Sequence, residues 1–274
     1  MALKFGKYLL LAALMPLIAL PAKAQWAAQA TSLTPLVSSL VVGVREPAAA
    51  PGPAQQIFFT PQAVFESVRI GGGGADIYAM NLDGSIQRRL TNHENDDLKP
   101  SLSLDGSKVV FVRRFNNDYV ICIMNSDGTG QRQITNGYGG SNPSISPDKS
   151  KVVFQRGYEI YIMNANGSNI RRLTLNNDDD EWPSLSPDGT KILFNSDRSG
   201  RKEIYTMSLD GTDVVRVTNT PGGNFCAKFS PDGSKIVFTS SREAVANDGN
   251  WNVYIMRPDG SGQTRLVSNI NTDW

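Results

Sequence analysis

The stretch Pro183-Ser-Leu-Ser-Pro-Asp-Gly-Thr-Lys-Ile-Leu-Phe194, continued by Glu203-Ile-Tyr-Thr-Met-Ser-Leu-Asp-Gly211 and Arg216-Val-Thr218, decides the fold. It holds four short apolar runs parted by turn residues, and it recurs at roughly 40 to 45 residues from about residue 57 onward. An amphipathic helix would space its apolar residues three and four apart, and these runs are too short and too abruptly closed for that. Four strands in a repeat of this length make a propeller blade. The expected fold is therefore all-β, a β-propeller of about five four-stranded antiparallel blades, with function carried in loops.

Working outward, the first strands are short and Ser-rich, as in Pro100-Ser-Leu-Ser103 and Pro143-Ser-Ile-Ser146. A Pro-Asp-Gly type of turn leads to second strands such as Lys151-Val-Val-Phe154 and Lys235-Ile-Val-Phe238. The third strands are Ile77-Tyr-Ala-Met80, Ile121-Cys-Ile-Met124, Ile160-Tyr-Ile-Met163, Ile204-Tyr-Thr-Met207 and Val253-Tyr-Ile-Met256, each followed by Asp-Gly or Asn-Gly. Aligning Phe59 to Arg69 with Phe229 to Arg242 supplies the opening of the first blade, with its first strand near residues 57 to 60. The chain stops where another first strand would begin, so the ring is expected to close. The competing reading is a truncated six-blade protein.

The first 24 residues combine Lys4 and Lys7, an apolar run from Tyr8 to Leu20 and Ala22-Lys23-Ala24, the three parts of a secretory signal. Residues 25–56, rich in Ala, Pro, Gln and Ser, are expected to be a flexible linker, within which Leu36 to Val44 is apolar enough to add a strand or dock as a peptide. Residues 57–274 then form the propeller. Without the signal, 24 basic residues face 26 acidic ones. That balance, with only dispersed arginine pairs, excludes a nucleic-acid binder, and no membrane span follows the signal. Cys122 and Cys226 fall in blades that are not neighbours, so they are expected to stay apart as buried fillers.

The combination Ser-Pro-Asp-Gly-x-Lys-Ile-x-Phe, Ile-Tyr-x-Met-x-x-Asp-Gly and Arg-Leu-Thr resembles the TolB-like propeller repeat, over about residues 57 to 267. The resemblance implies a secreted or periplasmic scaffold that contacts a protein or peptide partner. Family members with six blades and an N-terminal α/β domain differ from this chain, which shows five units behind a short linker.

Antiparallel blades put the tight turns on one face and the connections after strands two and four on the other, so the second face is the variable one. Two of its connections are acidic, His93-Glu-Asn-Asp-Asp97 and Asn177-Asp-Asp-Asp-Glu181. Asp97 and Asp180 are thus candidate partner-binding residues. The same carboxylates suit a calcium ion, although no cofactor is expected, or an acid/base pair of a carbohydrate-active enzyme at the axial mouth. His93 is the only histidine and no nucleophile motif is present, so the expectation is a non-enzymatic monomer. The sharper expectation is a composite surface where the loops of the first and last blades meet, centred on Arg69, Arg242 and Trp251.

Overall fold

The computed structural model describes residues 37–42, 63–68, 74–115, 118–137, 139–243 and 251–270, with backbone alone for 37–42 and 268–270. All of its regular structure is strand. Blade one is β1 (Val37–Val42), β2 (Ala63–Val68), β3 (Ala75–Met80) and β4 (Arg88–Arg89). Blade two is β5 (Asp97–Leu102), β6 (Lys108–Phe115), β7 (Asp118–Asn125) and β8 (Arg132–Gln133). Blade three is β9 (Ser141–Ile145), β10 (Lys151–Arg156), β11 (Glu159–Asn164) and β12 (Arg171–Arg172). Blade four is β13 (Asp180–Leu185), β14 (Lys191–Ser196), β15 (Glu203–Ser208) and β16 (Val215–Arg216). Blade five is β17 (Asn224–Phe229), β18 (Ile236–Ser240), β19 (Trp251–Met256) and β20 (Thr264–Ile270). Each is a four-stranded sheet in chain order, with antiparallel pairing throughout.

The first strand of blade one departs from expectation. It is Val37–Val42, inside the segment read as linker, and it pairs with β2 through Leu40↔Phe65 and Val42↔Ala63. The stretch near residues 57 to 60 lies outside the described residues, as does the signal. An apolar run needs only a sheet edge to pair with, and β2 offers one whether the intervening chain is long or short.

Blades join through alternation. In every second strand one set of side chains faces the preceding blade and the other the following one. Phe111, Phe154, Phe194 and Phe238 are fully buried, each against the strands of the blade before it, and each contributes about 2–3 kcal/mol of apolar burial. The Asp-Gly turns add a second contact. Gly128, Gly167, Gly211 and Gly260 all have φ between 88° and 91° or close to it at 85°, and a Cβ on any of them would meet a carbonyl of the preceding blade at 2.2–3.0 Å. Only glycine fits both demands. Gly84 has the same conformation but nothing within 4 Å of its Cβ position. Four joints of the five-blade propeller ring are therefore equivalent.

Candidate functional site

The variable face is held by two polar systems that recur from blade to blade. In the first, the threonine after strand four accepts the N–H that opens strand three: Thr91 from Ile77, Thr135 from Ile121, Thr174 from Ile160 and Thr218 from Ile204, at 2.8–2.9 Å. In three blades that hydroxyl also donates to an acid, Asp76, Glu159 or Glu203. An arginine from strand four, Arg89, Arg172 or Arg216, completes the ion pair. The Arg-x-Thr motif is thus a latch between the two outer strands.

The second system lies at the blade joints. Arg113 pairs with Asp97 through Nε and Nη2 at 2.6 and 2.9 Å, and Arg198 holds both oxygens of Asp180 at 2.9 Å. Both aspartates are fully buried. These carboxylates, expected to meet a partner, instead open the first strand of their blades and are enclosed by their own arginines. The enclosure has a simple cause: a buried carboxylate persists only when paired, and the nearest cation lies on or just after the adjacent strand. Arg242 holds the same place in blade five. Its guanidinium bonds Ser240, Gln263 and Asn224 and lies 4.1 Å over Tyr254. Trp251 packs edge-on against Phe225 at 4.8 Å. Arg69 and most of the two loops expected to meet around it lie outside the described residues.

The acidic connections are internally matched. Asp96 accepts the Ala75 N–H and pairs with Arg114. Lys202 sits 2.9 Å from Glu181 and 3.6 Å from both Asp179 and Asp197. Among the described residues no group of three His, Cys, Asp or Glu side chains is placed to hold a metal ion. Carboxylates with displaced titration, such as Asp148, lowered to about 2 by the hydroxyls of Ser146 and Ser150, move downward, the direction opposite to that of a general acid.

A set of residues not singled out from sequence lines the axial mouth. Lys99, Asn142, Trp182 and Cys226 occupy one equivalent position, the bulge of each first strand, with φ of 50–59°. The bulge backbone is tied to the preceding blade: the N–H groups of Lys99, Trp182 and Cys226 donate to Glu66, Gln155 and Asn195. Lys99 Nζ donates to Ser141 at 2.7 Å and lies 5.6 Å over the Trp182 ring, and burial lowers the pKa of its ammonium. Burial raises the Cys226 thiol, so it is no nucleophile. A changing residue just before the Pro-Ser of three first strands, and before Ala227 in blade five, was the available signal. Left-handed backbone at four equivalent non-glycine positions marks a place where side-chain direction matters more than local ease.

The comparisons agree with this architecture. A family model described as the TolB beta propeller domain matches residues 58–159, and one described as the Tricorn protease N-terminal beta propeller domain matches residues 140–273. The repeats of this chain are TolB-like propeller repeats. The TolB-type propeller is similar to a TolB homologue of Chlorobium luteolum, 37% identical over 213 residues, which take in 75% of this chain and 47% of that protein. It is also similar to a solved structure assigned as TolB in Agrobacterium tumefaciens, with a TM-score of 0.65, 25% identity and 76% of each chain covered. TolB from Acinetobacter baumannii shares the fold at a TM-score of 0.61 and 24% identity, over 71% of this chain and 49% of that one. The chain spans about half the length, or less, of the TolB homologues it matches.

Proposed function

We propose that this TolB-type propeller is a non-enzymatic scaffold of the periplasm or cell exterior that binds a protein or peptide partner through its variable face. The observation that carries this reading is the uneven composition of that face. Over blades one to three it exposes Val68, Phe115, Tyr119, Tyr158 and Leu175, with Tyr158 at 62% and Leu175 at 80%. Over blades four and five the corresponding loops are charged, with Arg201 and Glu243 exposed beside the half-buried Arg198, Lys202 and Arg242. Exposed aromatic and aliphatic side chains beside a charged sector are what a protein interface uses, apolar anchors for affinity and charges for register. The enclosure of Asp97 and Asp180 in ion pairs weighs against acid/base catalysis at the mouth. The secretory features of residues 1–24 and the kinship with TolB support the location.

The test is face-selective photo-crosslinking in cells that express the full chain. A benzophenone amino acid at Tyr158 or Leu175 is expected to yield a defined protein adduct in the envelope fraction, and one at Ile86 or Val214, exposed on the tight-turn face, is expected to yield none. The same adducts from both faces, or none from the variable face, would overturn the proposal.

A further inference from the structure

Four arginines lie near the ends of the second strands of blades two to five: Arg113, Arg156, Arg198 and Arg242. All four stack on the strand-two phenylalanine of their blade at 5.3–5.6 Å. Three of them are answered by acceptors. The residue opening strand one supplies Asp97, Asp180 or Asn224. A glutamine ahead of strand four supplies Gln131 to Arg113 and Gln263 to Arg242. An acid opening strand three of the preceding blade adds its charge, Asp76 toward Arg113 and Glu203 toward Arg242.

Arg156 has none of these. Gly140 stands where Asp97, Asp180 and Asn224 stand, Ile170 where Gln131 and Gln263 stand, and Val120 where Asp76 and Glu203 stand. A side chain cannot be regained at Gly140, because a Cβ there would lie 2.6 Å from Ile121. The Arg156 Nε is buried and makes no hydrogen bond, and among the described residues the guanidinium has no ion-pair partner. It is nonetheless held rigidly, over Phe154 at 5.6 Å and Tyr161 at 5.3 Å. A planar, oriented cation whose fork the chain leaves unanswered matches a carboxylate.

We propose that Arg156 receives a carboxylate from outside the chain, the aspartate or glutamate side chain of an extended peptide in the partner, which does for Arg156 what Asp97 does for Arg113. This deepens the partner-binding reading and rests on it. A peptide rather than a free small acid is indicated by the flanking rings. Tyr158, two residues beyond Arg156, is 62% exposed, and Tyr119, whose carbonyl accepts the Gly140 N–H at 3.1 Å, is 40% exposed. They provide rigid, amphipathic contact on both sides of the joint between blades two and three.

The experiment follows the arginine Nε–Hε resonances of the mature chain by NMR. The probes are acetyl-Ala-Asp-Ala-amide, its Asn counterpart and acetate. One resonance, missing in Arg156→Gln, is expected to shift saturably with the Asp peptide. The Asn peptide, Arg156→Gln and acetate should each weaken binding at least about tenfold, and Arg156→Lys by less. Arg156→Gln should melt no lower than the parent, because it removes a half-buried cation without a hydrogen-bond partner; a merely structural arginine would lower the melting temperature. Absence of a saturable shift, or a lower melting temperature in Arg156→Gln, overturns the proposal. Acetate binding as tightly as the Asp peptide overturns its peptide half. If crosslinking at Tyr158 still captures a partner while Arg156 ignores carboxylates, this inference fails and the scaffold reading stands.

Discussion

Blade two contains a natural experiment on the strand-three latch, and transplanting it into blade four measures what the latch contributes. Glu203 is fully buried and accepts from Arg216 at 2.7 Å, Thr218 at 2.5 Å, the Thr220 N–H at 3.1 Å and Asn224 at 2.7 Å. Blade two carries Val120 and Gln133 at the two ion-pair positions and keeps the same strand pairing. Glu203→Val alone removes a carboxylate with four donors and should cost about 3–5 kcal/mol. Arg216→Gln alone leaves the carboxylate buried with three neutral donors, a loss of about 2–3 kcal/mol. In the double variant no charge is left stranded. Its loss should fall short of the sum by at least about 1.5 kcal/mol, within the range measured for coupled neighbours. For a domain of this size about 1 kcal/mol moves the melting temperature by 2–4 °C, so calorimetry on the three variants resolves the cycle. Additivity within about 0.3 kcal/mol would falsify the account of Glu203 and Arg216 as a single unit.

Other consequences follow from the same geometry. Ile86 has φ of 51° and is 61% exposed, at the turn position where the other blades carry Gly130, Asn169, Asp213 and Gly262; Ile86→Asn should stabilise by about 1 kcal/mol, and an unchanged melting temperature would contradict strain there. The turn aspartates Asp148, Asp188 and Asp232 are held below the usual carboxylate range by serine hydroxyls and backbone N–H groups. A folded pKa below the unfolded one gives stability that is present above about pH 4 and lost as pH falls toward about 2; the melting temperature should drop across that window, less steeply in Asp148→Asn, and a flat profile would refute the assignment. Burial pushes the Cys122 thiol up to about 11, so native protein at pH 8 should resist iodoacetamide and react only when unfolded. Arg242→Ala should lower the melting temperature by several degrees, since it unties Ser240, Gln263 and Asn224 together; an unchanged value would return Arg242 to the exposed surface where the composite-loop expectation put it.

The sequence by itself determined the class of fold, the number of blades, the identity of the second and third strands and the Asp-Gly turns. Those features are local: strand alternation, turn chemistry and the positive φ of glycine act within about ten residues, and repetition reinforces each reading. Tertiary structure alone decided what depends on pairing at a distance. Val37–Val42 carries no repeat motif, so only its partner β2 reveals it as a propeller strand. Asp97 and Asp180 look like free surface acids along the chain, and become enclosed only when Arg113 and Arg198 cross from the neighbouring strand. The axial row of Lys99, Asn142, Trp182 and Cys226 follows from a bulge that turns one residue per blade, which alternation cannot foretell. Arg156 stands out for the same reason. Val120, Gly140 and Ile170, at the positions that carry acceptors in other blades, are unremarkable in sequence, and the missing acceptors become visible only when the blades are compared position by position.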